Sequence, residues 1–477
     1  MTEIHHDDAA RVTQRDIAEL YAVKDVSDDH KFRMGLEYET LYHNRDSNLS
    51  IMSPDQSQNI LQQIYKESGK GQFENKSLTT VQNGKSVISL EACGVLEIAT
   101  NPFEIGQEKQ LLQELYQQRD YLNHTAHEYN LHPCPFSSSP HVTLNDVENN
   151  LVHRDRLRAG YNFFKDNNSE NGMMSMGLIT SAQVSVEALP QHYETQIRTA
   201  FMLQPLLYAL CSSHSGYKFG QSYKNIIRPD VYLSYNHIGH ETSGSVERSG
   251  IPSFIFNGDK PIIESYADTV LNTPMLFHYD KNGQIVSKQL CLKDLQHHNP
   301  DLMTKTNLNA ARSLLFYDVK IHQTESGSGQ RLELRAPDSG HGNAEMAFLI
   351  ARSTLMDPQG LQDTQLALKE CGLLYSPYSD QKSLKTARYA VSQNKMKTAF
   401  GTKTLHHFAQ SINEIAQGKL AHQGVDESLE MLNFTTQTGI TNTAFIENTL
   451  GSLNKVVDFM GDNRPTLKPY AQEYFVG

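Results

Sequence analysis

The chain has 477 residues, 38% hydrophobic and 20% charged, a globular balance that excludes extended disorder and allows two to three domains or one large elaborated one. Its net charge is −12, it has no lysine- or arginine-rich block, and its longest apolar stretch, near 201–210, falls short of the roughly 20 residues that span a bilayer, so neither nucleic acid nor a membrane is an expected partner. Five scattered cysteines without a CxxC pair argue against a disulfide framework or a zinc site, and a polar, acidic N-terminus without a signal-peptide core gives the expectation of a soluble cytoplasmic protein.

In chain order, the first expected element is a short helix over 13–24 with Ile17, Leu20 and Tyr21 on one side, followed by a strand over 32–42. Ser53-Pro54-Asp55 starts a helix whose apolar stripe is Ile60, Leu61 and Ile64, and Gly69 to Gly71 ends it. Residues 87–100 read as a strand kinked at Gly94. A long amphipathic helix follows over 105–130, carried by Leu111, Leu112, Leu115, Tyr116 and Leu122. Residues 177–189 alternate as a strand, and 194–211 form a second long helix interrupted at Pro205.

Short apolar strands are expected over 251–256 and 275–279, then a hairpin turn at Asp280-Lys281-Asn282-Gly283. A strand pair over 316–321 and 331–336 flanks the flexible tract Ser326-Gly327-Ser328-Gly329, which lacks the Lys-Thr of a phosphate loop. Beyond Gly342 the pattern turns helical: 343–356, 361–371, 383–397 with Ser383 as N-cap, 404–417 and 441–459. This is an α+β layout with a mostly antiparallel sheet, divided into an N-terminal helical segment (1–30), a catalytic core (31–342) and a helical C-terminal region (343–477) packed on the core.

Four strands repeat one design. In Gly35-Leu36-Glu37-Tyr38-Glu39, alternation puts both glutamates on one face, where two close carboxylates repel unless a cation sits between them. Glu91 and Glu97 are six residues apart among Ile88, Leu90, Leu96 and Ile98. Gln183, Ser185 and Glu187 share a face opposite Val184 and Val186, and Arg331, Glu333 and Arg335 share one opposite Leu332 and Leu334. Singly, each is also what a wet strand face looks like. Jointly, acidic groups suit Mg²⁺, which takes oxygen ligands shared with phosphates, and arginines offset the remaining phosphate charge.

These motifs, in this order, resemble the glutamate–cysteine ligases of plants and many proteobacteria. Further matches are Met173-Met174, Leu203-Gln204-Pro205, the run from Arg248 to Phe256, the run from Asp268 to Met275, and Asp338. The resemblance covers roughly residues 30 to 340 and implies a glutamine-synthetase-like catalytic sheet, curved into an open funnel with helices on its outer face. It implies Glu37, Glu39, Glu91, Glu97 and Glu333 as ligands of two or three Mg²⁺ ions, with Glu37, Glu39 and Arg335 as catalytic residues. Gln183 and Arg335 would contact ATP. Arg154, Arg228 and Arg248 would hold the substrate, with Arg156 or Arg158 replacing Arg154 in a shifted alignment. The implied reaction joins glutamate and cysteine through γ-glutamyl phosphate, the first step of glutathione synthesis, in a monomer or homodimer.

The chain also departs from that family. Ala92-Cys93 stands for Pro-Gly, Val95 for Gln, and Ala99-Thr100-Asn101 for a Ser-Gly-type turn; Ser185 and Glu187 stand for Asn and Asp, 322–330 is an insertion, and tryptophan is absent. The alternatives left open are a carboxylate–amine ligase with another acceptor and a nucleotide-binding protein without turnover.

Overall fold

The computed structural model describes residues 14–441 and 444, apart from 46–49, 75, 153, 237–245, 325 and 375–376. Its central sheet contains β1 (Arg33–Thr40), β2 (Gly71–Glu74), β3 (Ser77–Asn83), β4 (Ser86–Leu90), β5 (Leu96–Ala99), β6 (Ala182–Glu187), β7 (Val319–Gln323) and β8 (Gln330–Leu334). The spatial order is β7-β8-β6-β1-β5-β4-β3-β2, with the two-residue strand Phe103–Glu104 also paired to β1. Every pair is antiparallel.

The curved, open-funnel sheet implied by the resemblance is not what is found. The ladder is a linear, open sheet whose end strands β7 and β2 do not pair, and it neither curves round nor closes. Bending a sheet takes bulges or glycine kinks within its strands. The one register shift in this sheet lies at Gln72/Phe73 in the outer β2–β3 hairpin, while the central ladders run unbroken.

Alternation explains which face packs. Met34, Leu36 and Tyr38 of β1, Val184 and Val186 of β6, and Leu332 and Leu334 of β8 are buried in the core. The helix Asn343–Leu355 packs against β6, and Tyr193–Leu210 against β7 and β8. Helix Asn343–Leu355 is buried at every residue but Arg352, which donates to Glu108 Oε1 at 2.6 Å. A helix buried on all sides belongs to the interior, and the helices Pro358–Glu370 and Leu405–Leu420 cover its outer side.

Local chemistry sets the element ends. Helix Pro54–Ser68 opens on a capping box between Ser53 and Gln56, with Pro54 at its start, and ends on left-handed Gly69 (φ 69°). The stretch expected as one kinked strand over 87–100 is instead a hairpin: β4 and β5 pair, joined by the turn Ala92–Gly94 with Cys93 at φ 55° and Gly94 at φ 72°. A Cβ on Gly94 would lie 2.9 Å from the Met52 carbonyl oxygen, so only glycine fits there. The turn at Asp280–Gly283 is found as expected, with Gly283 at φ 75° between the paired strands His278–Tyr279 and Ile285–Val286.

Other expectations fail for identifiable reasons. Residues 251–256 hold a 3-10 turn, Ser253–Phe256, because the Ser253 N–H and hydroxyl both donate to the Glu247 carboxylate. Ser383 lies inside the helix Pro377–Asn394, which starts at a proline suited to the first helical position. The helix expected over 441–459 lies outside the described residues. Helices Asp155–Asp166, Ile262–Asn272 and Asp426–Thr438 were not anticipated. Among the described residues, no helix is long and apolar enough to cross a membrane.

Candidate active site

The polar face of the sheet gathers the acidic residues. Register sets their neighbours: Glu37 of β1 lies opposite Gln183 of β6 and Ala99 of β5, and Glu39 lies opposite Glu97. Glu97 also faces Ser89 of β4, whose hydroxyl donates to Glu97 Oε1 at 3.1 Å. Glu333 of β8 stands between Ser185 of β6 and Lys320 of β7. Glu91 comes from the β4–β5 turn. All five glutamates line one cavity of about 320 Å³.

Cationic and neutral donors surround them. Arg335 Nη1 donates to Glu333 Oε1 at 2.5 Å, and His322 Nε2 lies 2.5 Å from Glu333 Oε2. Arg331 Nη1 bridges Ser185 Oγ at 2.7 Å and Glu37 Oε1 at 3.3 Å. Glu39 Oε2 accepts from the Ser181 N–H at 2.6 Å and its hydroxyl at 2.8 Å. Arg156, near the start of helix Asp155–Asp166, and Lys320 complete the basic lining, and Tyr232, Tyr235, Phe277 and Phe316 form an aromatic wall.

The charges are strained without a counter-ion. Burial, then repulsion from Glu333, pushes the Glu37 carboxyl up to about 7. Burial and Glu39 raise Glu91; burial and repulsion from Glu37, Glu91 and Glu39 raise Glu97 well above the carboxylate range. Burial works to raise Glu333 too, but His322 and Arg335 outweigh it and hold it well below. Desolvation, with Arg335 nearby, pushes the Lys320 ammonium down to about 8.

This donor set fits a hard divalent cation in charge and chemistry. Like charges directly opposite on paired strands destabilise a sheet, yet Glu39 and Glu97 occupy such a pair. Gln183 Oε1 is buried in the same cavity without a hydrogen-bond partner among the described residues, a further oxygen donor. Among the described residues, no three acidic, His or Cys groups converge on one point.

The expected substrate arginines lie elsewhere. Arg154 donates to the Leu90 carbonyl at 2.7 Å and pairs with Glu74 at 3.2 Å, while its neighbour Arg156 lines the cavity. Arg228 is buried behind the wall, in an ion pair with Asp338 at 2.9 Å and 5.6 Å from the Tyr232 ring. Arg248 is buried off the cavity, and none of its guanidinium nitrogens has a hydrogen-bond partner among the described residues.

Lys320 and His322 went unassigned from the sequence, though the alternation of Val319-Lys320-Ile321-His322 was there to read, whereas Arg331 was read with Glu333 and Arg335 as one shared face. The aromatic wall carried no local signal, since Tyr232, Phe277 and Phe316 lie far apart in the chain, on separate short segments.

No family model matches the chain. Over 445 residues it is 23% identical to glutamate–cysteine ligase B of Oryza sativa subsp. japonica, spanning 90% of this chain and 82% of the relative. Over 448 residues it is 23% identical to the glutamate–cysteine ligase of Nicotiana tabacum, spanning 91% and 79%. Among solved structures, the glutamate–cysteine ligase of Francisella tularensis in complex with AMP is similar at 13% identity with a TM-score of 0.49, covering 93% of this chain and 88% of that one, too distant a likeness to transfer chemistry. The matching plant relatives are chloroplast proteins by name, which overturns the expected cytoplasmic location; a polar, acidic N-terminus does not discriminate between compartments. Eight curated relatives match, they share one enzyme name, and they align along nine-tenths of the chain: its sequence is similar throughout to glutamate–cysteine ligases.

Proposed function

We propose that this carboxylate–amine ligase joins the γ-carboxylate of glutamate to the amine of cysteine with cleavage of ATP to ADP and phosphate. The observation that carries the reading is the meeting of five carboxylates with Arg156, Lys320, Arg331 and Arg335 around one cavity. Glu37, Glu39, Glu91, Glu97 and Glu333 would hold Mg²⁺, which when bound neutralises and orients nucleotide phosphates. Arg335, fixed by Glu333, and Arg331, fixed by Glu37 and Ser185, present charge to the transferring phosphoryl group. Arg156 takes the role expected of Arg154 and binds the substrate carboxylate.

A γ-carboxylate oxygen of glutamate attacks the γ-phosphorus and ADP leaves. The cysteine amine then attacks the acyl carbon, and phosphate departs with that oxygen. Positioning and charge neutralisation are the protein's main contributions. ADP release measured across a panel of amino acids and amines, with glutamate present, tests this. Release that depends on cysteine supports it, and release indifferent to cysteine rejects it.

A second reading, an acceptor other than cysteine, is favoured by one observation. Ala92 and Val95 line the cavity at positions where the family resemblance expects proline and glutamine. The same panel would identify that acceptor.

A further inference from the structure

Two elements far apart in the chain each send one charged side chain into the acidic cavity from the same side. The β4–β5 turn supplies Glu91, and the start of helix Asp155–Asp166 supplies Arg156. Neither element by itself fixes the distance between that carboxylate and that guanidinium. A tie between the two elements has to do so.

Arg154 makes that tie. It directly precedes the helix, and its side chain turns away to the hairpin: Nη1 donates to the Leu90 carbonyl at 2.7 Å and Nε to Glu74 Oε2 at 3.2 Å. Leu90 is the residue before Glu91. The β3–β4 ladder stops at the Thr80–Ser89 pair, one residue short of Leu90, and Arg154 takes up the carbonyl where the ladder ends. Glu74 closes β2, the end strand of the sheet. One guanidinium thus joins the helix start, the Glu91 turn and the edge hairpin.

Local demands do not explain an arginine here. The residue before a helix usually offers an oxygen to the first free N–H groups. A guanidinium has no acceptor, and Arg154 makes no capping bond. Its charge also sits at the positive end of the helix dipole. What arginine offers is a rigid fork that holds a carbonyl and a carboxylate in one geometry, which a rotating ammonium does not. The Arg154 side chain is 17% exposed and Glu74 38%, so the ion pair itself contributes little stability and the hold on Leu90 is the better-shielded contact. Burial and Glu39 raise the Glu91 carboxyl, and Arg154 and then Arg156 oppose them, as guanidiniums close to that carboxylate would.

We infer that Arg154 is a positioning residue: it does not meet the substrate, and by gripping the Leu90 carbonyl it sets Glu91 on the hairpin against Arg156 on the helix. This rests on the roles proposed above, Glu91 for Mg²⁺ and Arg156 for the substrate carboxylate.

The test reads Mg²⁺ binding by titration calorimetry on the nucleotide-free, full-length protein, and the KM for glutamate with ATP and the acceptor saturating. The unmodified protein is expected to bind Mg²⁺, and Glu91→Gln to bind it more weakly. Arg154→Ala and Arg154→Lys are each expected to weaken Mg²⁺ binding about tenfold, the scale seen when a group that orients a metal ligand is lost, and to raise the KM for glutamate several-fold. Arg154→Lys decides the matter if Arg154→Ala does not fold by circular dichroism. A raised KM with unchanged Mg²⁺ binding would make Arg154 a direct substrate contact and overturn the inference. Tighter Mg²⁺ binding in Arg154→Ala, with Arg154→Lys unchanged, would mean that it acts by charge alone, and would overturn it too. Folded variants that melt lower with both readouts unchanged would reduce Arg154 to a structural tie, which also overturns it. In these three cases the ligase reading stands. An unmodified protein that binds no Mg²⁺, or loses none of that binding through Glu91→Gln, would overturn the metal role of Glu91 and the inference with it.

Discussion

Glu39 and Glu97 face each other across adjacent strands, and Glu37 of β1 and Glu333 of β8 repel each other across β6. Their placement is tolerable only where a cation or proton offsets the charge. Replacing Glu37 or Glu333 by glutamine keeps the shape and removes one negative charge from the cavity lining. Either change is expected to lower the rate by about 10²–10³-fold with the circular dichroism spectrum unchanged, an effect of the size seen when one electrostatic contact to a transition state is removed. A fully active Glu37→Gln protein would take that residue out of the site.

The raised Glu37 pKa also has a stability consequence. In the metal-free fold this group holds its proton up to about 7, whereas in the unfolded chain it releases it in the ordinary carboxylate range. The folded state binds more protons between those two values. Its contribution to stability is therefore fully present below the unfolded pKa and is lost as pH rises through about 7. Metal-free protein is expected to show a melting temperature that falls from the ordinary carboxylate range up to about pH 7 and levels off above it, less steeply in Glu37→Gln, and Mg²⁺ is expected to raise it most at the alkaline end. A pH-independent difference between the two proteins would contradict this.

At the scale of elements, the β4–β5 hairpin positions Glu91 and Glu97, and its turn depends on Gly94. Gly94→Ala would place a methyl 2.9 Å from the Met52 carbonyl oxygen at φ 72°. A loss of about 1–3 kcal/mol in denaturant unfolding is expected, with weaker Mg²⁺ binding. Unchanged stability and metal affinity would mean that the turn is not what holds these carboxylates. Local pattern makes this region one strand, because both halves are apolar and Gly94 gives no sign of whether the chain bends or reverses.

Reversal is set by contact with Met52, distant in the chain, and so lies beyond local pattern. By contrast, β1, β6 and β8 were legible, because alternation of apolar and polar residues over a run records which face meets the apolar core. Arg156 was visible only as a neighbour of Arg154. The arginine that lines the cavity is decided by the start of helix Asp155–Asp166, an element the sequence pattern did not show.

For the whole molecule, convergence of residues near 37, 91, 183 and 333 follows from strand order, which family resemblance anticipated and local pattern did not. Resemblance also implied a curved funnel, and the open, linear ladder corrects it. The sheet presents its acidic face directly, walled by the aromatic residues and by helix Asp155–Asp166 rather than by its own curvature.

The most direct test of the central claim follows one oxygen atom. Glutamate labelled with ¹⁸O in its γ-carboxylate is incubated with the protein, ATP, Mg²⁺ and cysteine, and the released phosphate is analysed by mass spectrometry. Activation of that carboxylate by phosphoryl transfer in the acidic cavity requires one labelled oxygen in each phosphate formed. Phosphate free of label, with ATP consumed, would show that this carboxylate is never phosphorylated.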